Sequence, residues 1–199
     1  MIVHMKYIIG IDEAGRGPLA GPVAIGVALV KADFDFKLLK GVRDSKKLLE
    51  KQREEWFLKL KDWKKQSLID FKVSLIGAKI IDEKGISHAI RKGIKSCLKR
   101  LEADPKSSKV LLDGSLKAPD SFENQITIIG GDDKEPIISI ASIAAKVTRD
   151  RKMKRLAVLY PKYQFEVHKG YGTALHCQLL RQYGASEIHR QSFISGILT

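Results

Sequence analysis

The segment 7–23 (YIIGIDEAGRGPLAGPV) limits the fold of this chain more than any other stretch. Its apolar run, residues 7–11, predicts a buried β-strand. Two carboxylates, Asp12 and Glu13, follow directly, and residues 15–18 (GRGP) then predict a turn. Carboxylates at the end of a buried strand are costly to remove from water, and a divalent cation commonly compensates for that cost. The segment therefore indicates either a metal-binding strand end or, more simply, a strand followed by a polar turn.

The order of the two carboxylates sets a geometric condition on any site that they share. Side chains alternate between the two faces of a strand, so Asp12 and Glu13 point to opposite sides while the strand continues. Both serve one site only if the strand ends or bulges there. Gly15 and Gly17, which follow, have no Cβ and let the backbone approach a ligand closely.

Charge and composition narrow the class of protein. The chain has 199 residues, 44% of them hydrophobic, and a net charge of +13, which fits one domain with a full core. This basic excess favours nucleic acid as the partner, and a lysine-rich solvated surface is the alternative. Cys97 and Cys177 lie far apart without metal-ligand spacing, as is typical of a reducing compartment. With no membrane-length apolar run and no signal-peptide pattern, we expect a cytoplasmic protein.

The hydrophobic pattern predicts an α/β chain without internal repeats. The first half is predicted to contain strand 7–11, an antiparallel strand 23–30, a polar loop 31–40, an amphipathic helix with Trp56 and Trp63 as core residues, strand 69–75, a linker with Asp82, Glu83 and Gly85, and an amphipathic helix over 86–101. The second half is predicted to contain strands 110–112 and 126–129, a long helix over 138–160 ended by Pro161, and a helix between Thr173 and Gly184.

Acidic residues recur where the predicted strands end. Asp12 and Glu13 follow one strand, Asp113 follows another, and Asp132 lies in a glycine loop after a third. Hard cations such as Mg²⁺ prefer oxygen ligands, and two such ions can serve both sides of a phosphodiester cleavage. Carboxylates inside a basic chain give the charge distribution of a metal nuclease, although acids at strand ends are frequent in other proteins.

Several other positions are candidates for binding a substrate. Lys46 and Lys47 stand beside Ser45 just before a predicted helix and could hold a phosphate, and a solvated lysine pair is the alternative. Lys146 and Arg149 lie on the polar side of the long helix. Tyr171, between two glycines, is a candidate contact residue, and a tyrosine that closes the edge of the core is the alternative.

Six motifs in this order resemble bacterial ribonuclease HII. They are DEAGRGPLAGPV at 12–23, RDSKKL at 43–48, LDG at 112–114, GD at 131–132, ASIAAKVTRD at 141–150 and HKGYGT at 168–173. The resemblance implies a ribonuclease-H-like α/β fold, with a central mixed sheet flanked by helices and a helical C-terminal part from about residue 161. It also implies one catalytic domain over 1–199 that hydrolyses RNA in RNA–DNA hybrids. Family members also incise 5′ of single ribonucleotides in duplex DNA, leaving a 3′-hydroxyl and a 5′-phosphate.

The resemblance also assigns roles to residues. It implies that two Mg²⁺ or Mn²⁺ ions are bound by the catalytic carboxylates Asp12, Glu13, Asp113 and Asp132; Asp132 is preferred to its neighbour Asp133 because of its spacing from Ser142. The implied substrate-binding residues are Gly15, Arg16, Gly17, Lys46, Lys47, Lys146, Arg149 and Tyr171. The glycine-arginine-glycine element is expected to meet the ribonucleotide 2′-hydroxyl, and Tyr171 to stack on the following sugar. We expect a monomer whose substrates are RNA–DNA hybrids and DNA duplexes with an embedded ribonucleotide, and no membrane partner.

Two competing interpretations are a ribonuclease HIII-like hybrid nuclease and a non-catalytic basic nucleic-acid-binding module. Ribonuclease HIII usually carries an extra N-terminal domain, for which the short segment before the first strand leaves no room. A binding module would have no use for four acids, because acids near a phosphate backbone weaken binding without metal. We interpret His168, His176 and His189 as structural or substrate-side residues. The segment 82–85 departs from the pattern of many relatives, and the C-terminus is short.

Overall fold

A computed structural model describes residues 5–42, 45 and 47–198 of the chain. Within them, five strands form one mixed sheet with the order β3-β2-β1-β4-β5. The strands are β1 (Tyr7–Ala14), β2 (Val23–Lys31), β3 (Ile69–Ile76), β4 (Ser108–Asp113) and β5 (Gln125–Ile128). Strands β1, β2 and β3 pair antiparallel, whereas β4 runs parallel to both β1 and β5. The carboxyl ends of β1 and β4 therefore meet at the same edge of the sheet.

Helices cover both faces of the sheet and form most of the C-terminal part. They are α1 (Glu50–Lys65), α2 (Ala78–Lys84), α3 (Ile86–Arg100), α4 (Gly131–Lys134), α5 (Pro136–Leu159), α6 (Phe165–His168), α7 (Ala174–Tyr183) and α8 (Gln191–Ile194). Short 3₁₀ helices lie at Phe36–Leu39 and Pro161–Tyr163. These elements confirm the predicted fold class and the helical part after residue 161. None of the helices in the described ranges combines the length and the apolarity needed to cross a membrane.

Alternation along the strands divides the core into two layers. Ile9 and Ile11 of β1 pack on the face covered by α3, whose Ile90 and Ile94 are buried there. The opposite face, which includes Ile8, is covered by α1 and α5. Asp12 has the same parity as Ile8, so its side chain belongs to the α5 face of the sheet.

Helix α5 lies unusually close to the sheet because two strand positions are glycines. A Cβ at Gly10 would lie 2.3 Å from the carbonyl oxygen of Ile137, and a Cβ at Gly26 would lie 2.1 Å from that of Ala141. Both distances are far below van der Waals contact, so no side chain fits at either strand position. The small residues 141–145 thus pack directly on the strand backbones, as their composition predicts.

The observed elements confirm most of the predicted ones. Strand β1 continues through Asp12 and Glu13 to Ala14, so the strand does not end before the acidic pair. Helix α5 begins at Pro136, where a missing backbone N–H costs nothing. Trp56 and Trp63 are partly buried and pack against the core beneath α1, as predicted.

Two predictions about loops were wrong. The segment 31–40 contains a 3₁₀ helix whose N-cap, Asp35, accepts the backbone N–H of Lys37, and Leu39 of this helix is buried in the core. The predicted linker around Asp82 belongs to α2, which ends at Lys84 before Gly85, a residue with a positive φ of 81°.

Asp82 also fixes the end of the chain. Its carboxylate accepts hydrogen bonds from the backbone N–H groups of Gln191 and Ser192 at 2.9 and 3.0 Å, and from the Ser192 hydroxyl at 2.6 Å. Helix α8 is therefore attached to α2, far away in sequence, and residues just before α8 reach the edge of the sheet where β1 ends.

Candidate metal centre and substrate cleft

Three aspartates converge at the edge where the parallel strands end. Asp12 lies near the end of β1, Asp113 is the last residue of β4, and Asp132 lies in α4. One carboxylate oxygen from each residue lies within 4.8 Å of the others. This all-oxygen donor set suits a hard divalent cation.

Asp12 is the most deeply placed acid of the site. Burial raises the pKa of its carboxyl well above the usual range, and the neighbouring carboxylates of Glu13 and Asp113 raise it as well. Its Oδ1 accepts the backbone N–H of Glu13 at 2.7 Å, whereas its Oδ2 is buried without a hydrogen-bond partner. The hydroxyl of Ser142 lowers the pKa of Asp12 in part, but it is hydrogen-bonded to Ser45 Oγ at 2.8 Å. A buried acceptor without a partner next to two other carboxylates fits a bound cation, which would supply the missing positive charge.

The two other aspartates are held by their local backbone. Asp113 Oδ1 accepts the N–H of Gly131 at 2.7 Å, which connects the end of β4 to the start of α4. Gly130, in the left-handed region with φ of 64°, makes the turn between β5 and α4. The Ser139 hydroxyl donates to the carbonyl oxygen of Asp132 at 2.8 Å, so the first turn of α5 fixes the loop that carries this acid.

Glu13 lies beside the three-aspartate group, outside the set whose oxygens approach one another. Because β1 continues through this position, its side chain leaves from the other face of the strand. Its Oε1 is 3.2 Å from Arg16 Nη1. Burial raises the pKa of Glu13; Arg16 opposes the shift, and Asp113 adds to it. Glu13 therefore lies in the electrostatic field of the three aspartates, although it is not part of their group.

A cleft of about 670 Å³ opens next to these acids. It is lined by Glu13, Ala14, Gly15, Arg16, Gly17, Ser45, Arg53, Lys146 and Tyr171. The cleft combines backbone from the glycine-rich loop, one exposed aromatic ring and several cations, which are the groups that bind a nucleic-acid backbone.

Two buried arginines support the glycine-rich loop from below. Arg190 donates from Nη2 to the carbonyl of Gly15 at 2.7 Å, from Nη1 to that of Arg16 at 2.8 Å and from Nε to that of Gly21 at 3.1 Å. Because a trans peptide directs its C=O and N–H to opposite sides, the N–H groups of Arg16 and Gly17 point away from Arg190. The loop therefore presents hydrogen-bond donors on the side opposite the arginine.

Arg149 is the second of these arginines. The sequence places it on the polar side of the long helix, but the structure places it in the interior. It is fully buried, and it donates to the carbonyl oxygens of Pro22 at 2.9 Å and Ala20 at 3.3 Å. A Cβ on Gly15 would lie 2.0 Å from Arg149 Nε, so the loop rests directly on this side chain. Arg149 thus underlies the predicted substrate-binding loop and is not one of the solvent-facing residues on the polar side of α5.

Tyr171 lies at the mouth of the cleft with 38% of its surface exposed. Lys146 Nζ and Arg149 Cζ lie 5.5 and 5.4 Å from the centre of its ring. Lys146 also forms an ion pair with Asp150 at 3.0 Å. The ring is therefore fixed on one side by cations, and its exposed part is available for contact.

Three buried histidines fix the turn that carries Tyr171. His176 Nδ1 donates to the carbonyl of Tyr171 at 2.9 Å, so its Nε2 is the acceptor in the 3.1 Å contact with His189 Nε2. His189 Nδ1 in turn accepts the N–H of Ser186 at 2.9 Å. His168 stacks on His176 with ring centres 4.2 Å apart. Each ring uses one donor and one acceptor, so the network fits neutral imidazoles with a structural role.

The structure describes only part of the basic motif at 43–48, which precedes α1. Lys47 Nζ forms an ion pair with Asp133 Oδ2 at 2.6 Å, next to Asp132. Lys46, which the sequence also predicts to bind substrate, lies outside the described residues, as do Arg43 and Asp44. Ser45 is buried against Ser142, as described above, and this contact places the motif beside the acids.

Two residues of this region are not predicted from the sequence. Arg53 lines the cleft and donates to the backbone carbonyls of Ser45 and Leu48, which connects α1 to the basic motif. Arg190 supports the loop from 169 to 175 positions away in sequence. In the sequence, Arg190 is only a cation before a short apolar segment. This pattern does not indicate which carbonyl groups accept its hydrogen bonds.

The mixed sheet covered by helices on both faces, with three aspartates at its parallel strand ends, defines a metal-dependent nuclease with the ribonuclease-H-like fold. The family model described as "Ribonuclease HII" matches residues 9–195. The chain belongs to the ribonuclease HII family, and it is a metal-dependent endoribonuclease that acts on RNA in RNA–DNA hybrids.

Individual relatives agree with this assignment. Ribonuclease HII of Caldicellulosiruptor bescii is 44% identical over 98% of this chain and 89% of its own length. The crystal structure of the ribonuclease H2 from Pyrococcus horikoshii OT3 is similar with a TM-score of 0.72 at 30% identity, over 96% of this chain and 97% of that one. A structure described as Bst-RNase HIII in complex with Mn²⁺ shares the fold, with a TM-score of 0.68 at 16% identity over 92% of this chain and 64% of that one.

Proposed function

We propose that this enzyme also incises duplex DNA on the 5′ side of a single embedded ribonucleotide and leaves a 3′-hydroxyl and a 5′-phosphate. The observation that carries the proposal is that the cleft lined by the loop 15–17 and Tyr171 also contains Glu13, the residue directly after Asp12 of the three-aspartate group. One group handles the phosphodiester, and the other reads the sugar next to it. A nuclease with both can select one ribonucleotide within DNA, because the 2′-hydroxyl is the group that distinguishes the two sugars.

The glycine-rich loop is the proposed reader of the 2′-hydroxyl. The carbonyls of Gly15 and Arg16 are occupied by Arg190, which leaves the N–H groups of the next residues on the opposite side. A Cβ on Gly17 would meet no atom within 4 Å, so the space above this residue is open to a ligand. A ligand that touches the backbone itself requires glycine at this position, because a side chain would stand between the ligand and the backbone.

Tyr171 is the proposed reader of the next nucleotide. Its partly exposed ring can stack on a deoxyribose, whose lack of a 2′-hydroxyl lets the sugar approach the ring closely. The loop and the tyrosine together would then select an RNA-to-DNA junction. The cations that line the cleft, Arg16, Arg53 and Lys146, would hold the flanking phosphates and give affinity without sequence preference. Lys46 and Lys47 are further candidates for phosphate binding on the basis of the sequence.

The carboxylates Asp12, Glu13, Asp113 and Asp132 are the proposed ligands of two Mg²⁺ or Mn²⁺ ions. When bound, such ions lower the pKa of water and stabilise the leaving oxygen of a phosphodiester. Asp12 and Asp113 accept backbone hydrogen bonds that orient their side chains, and Asp12, whose Oδ2 lacks a partner, would help to hold the ions. A monomer with one catalytic domain is sufficient for this arrangement.

The proposal is tested with a labelled DNA duplex that carries one ribonucleotide, beside an all-DNA duplex and an RNA–DNA hybrid of the same sequence. We expect cutting of the hybrid and of the single-ribonucleotide duplex with Mg²⁺ or Mn²⁺, and no cutting with EDTA. Cutting of the hybrid without the single-ribonucleotide duplex would overturn junction recognition and keep the hybrid nuclease. Metal-dependent cutting in which ribonucleotide-specific products lack a 3′-hydroxyl would overturn the proposed chemistry.

A further inference from the structure

A second concave surface lies away from the acids, between α1, β3 and α5. This α1/β3/α5 groove has a volume of about 690 Å³, close to that of the substrate cleft, and shares no lining residue with it. It is lined by Phe57, Lys61, Lys64, Lys65, Phe71, Leu75, Thr148, Arg151, Lys152 and Arg155. Six of these ten residues are cations and none is acidic, so the groove is a strongly basic site that the proposed nuclease function does not use.

The floor of the groove is apolar. Phe57 and Phe71 pack edge to face with ring centres 5.7 Å apart, and Leu75 on the edge strand β3 is 37% exposed. Arg151 Cζ lies 4.8 Å from the Phe57 ring centre, and Lys64 Nζ lies 5.2 Å from that of Phe71. The rim cations therefore surround apolar surface that a partner can bury.

Most of the rim charge is not neutralised inside the protein. Arg151 pairs with Glu54, and Lys64 pairs with Asp70. In the described part of the chain, no carboxylate forms an ion pair with the remaining four cations, which are Lys61, Lys65, Lys152 and Arg155. The groove thus combines four uncompensated positive charges with an apolar floor, and its complement is acidic and apolar.

We propose that the α1/β3/α5 groove is the docking site of a short acidic peptide segment from a partner protein, with one large apolar side chain as its anchor. A groove of this size with an apolar floor accepts one or two large side chains. Acidic residues on either side of the anchor then meet the rim cations, which is a common mode of acidic-motif recognition.

The structure disfavours the other occupants of such a groove. Base stacking needs an exposed aromatic face, whereas Phe57 is only 7% exposed and a cation lies close to each phenylalanine ring. The most exposed apolar residue of the floor is Leu75, which suits an apolar side chain better than a base. Pairing of a strand with β3 is obstructed because Lys64 and Arg100 already donate to the carbonyls of Phe71 and Val73. A second copy of a chain with a net charge of +13 is repelled by the same field.

The test uses the full-length enzyme and a panel of fluorescein-labelled acidic decapeptides in which the position of one leucine or phenylalanine varies. Each peptide has a partner of equal charge with serine in place of the apolar residue. Fluorescence anisotropy at low and high salt measures binding. We expect at least one apolar member to bind about tenfold or more tightly than its serine partner, because one buried Leu or Phe contributes this much.

Charge reversal locates the site. We expect the double substitution Lys65→Glu and Arg155→Glu to weaken the best peptide about tenfold or more, with cleavage of an RNA–DNA hybrid unchanged. The matched control, Lys92→Glu with Lys99→Glu, reverses two exposed lysines on α3 and leaves peptide binding unchanged. Leu75→Ser should weaken the apolar peptides and leave the serine peptides unaffected.

Three results would overturn the proposal. Equal binding of apolar and serine peptides across the panel would reduce the groove to a charged surface. Loss of hybrid binding in the Lys65→Glu/Arg155→Glu variant, with peptide binding intact, would assign the groove to nucleic acid. Equal loss of peptide binding in the α3 control would show that the peptides respond to total charge.

Discussion

The metal centre and the loop beside it bury opposite charges, and the two charged groups differ in their hydrogen-bond partners. Asp12 is buried with one oxygen lacking a partner, among carboxylates that raise its pKa. Arg190 is buried as fully, but it donates to three backbone carbonyls. Burial lowers the pKa of Arg190 to about 9, and Arg149 also lowers it, so the guanidinium remains charged at neutral pH.

The carboxylate of Asp12 therefore keeps an unused acceptor for a ligand, whereas the guanidinium of Arg190 stabilises the loop. A buried polar group without a partner is costly, and it persists where function supplies the partner. A buried arginine surrounded by carbonyls has its partners already. Removal of the first charge should therefore stabilise the protein and abolish activity, whereas removal of the second should destabilise it.

The largest effect is expected from Asp12→Asn. The amide cannot give a metal the same charge, so we expect cleavage of a hybrid to fall at least about a hundredfold. In EDTA the variant should unfold at a higher temperature than the wild type, because a buried ionisable group next to other carboxylates is replaced by a neutral one. Cleavage assays and thermal unfolding measure the two effects. An active variant, or a destabilised one, would contradict the assignment of Asp12 as an unsatisfied ligand.

Arg190→Ala should act in the opposite direction. Loss of the guanidinium leaves two buried carbonyls and one partly buried carbonyl without this donor, and we expect the free energy of unfolding to fall by about 3 kcal/mol. Selectivity for the single ribonucleotide over the hybrid should also fall, because the loop is no longer oriented. Arg100→Ala is the matched control, since Arg100 is exposed and donates to Val73 and Ser74 away from the loop. Equal behaviour of the two variants would remove the distinction drawn above.

The buried histidine network predicts that the stability of the folded protein depends on pH. Burial lowers the pKa of His176 and of His189 to about 4, against about 6.5 in an unfolded chain. The unfolded state therefore binds more protons than the folded state as pH falls. Stability should be fully present above pH 6.5 and should decrease by a few kcal/mol as pH falls towards 4.

Chemical denaturation at several pH values measures this loss. His176→Gln should flatten the pH dependence in that window while lowering stability at neutral pH, because glutamine does not titrate. A pH dependence that is unchanged in the variant would show that other groups, such as the carboxylates, are responsible for it.

The smallest effect on folding is expected from Gly17→Ala. A Cβ there meets no atom within 4 Å, so stability should change by less than about 0.5 kcal/mol. Cleavage at a single ribonucleotide should nevertheless decrease if the backbone approaches the sugar. Gly15→Ala is the comparison, because its φ of 88° and the 2.0 Å approach to Arg149 predict a loss of both stability and activity. Full activity of Gly17→Ala would argue against close contact of the ribose with this loop.

The sequence predicted the fold class and most elements because their hydrophobic patterns were strong. The apolar runs of β1, β2 and β4 and the pattern of α3 are local signals that burial confirms. The segment 31–40 was mistaken for a loop because its 3₁₀ helix, Phe36–Leu39, is only four residues long and too short to show a helical period in the sequence. Helix α2 was missed because seven residues carry too little periodicity, and its contact with α8 lies far away in sequence.

The candidate site was only partly predictable, because its geometry depends on contacts between residues that are far apart in the sequence. Acids after strands are visible in the sequence, and the approach of Asp12, Asp113 and Asp132 depends on the parallel pairing of β1 with β4. Strand alternation agrees with the absence of Glu13 from the group of three aspartates, and the end of β1 one residue later, at Ala14, leaves Glu13 at the edge of the adjoining cleft. The burial of Arg149 could not be read from helical periodicity, since its acceptors come from the loop between β1 and β2. Long-range partners of this kind leave no local signal.

The close seating of α5 on Gly10 and Gly26 has a consequence for engineering. Replacing glycine with alanine is a common route to a more heat-resistant protein, because it restricts the unfolded chain. At these two positions a single added methyl would lift the whole helix, and with it Ser142, Lys146 and Arg149. Attempts to increase the heat resistance of this enzyme should therefore leave both glycines unchanged and use exposed positions such as Gly196, where an added Cβ would meet nothing within 4 Å.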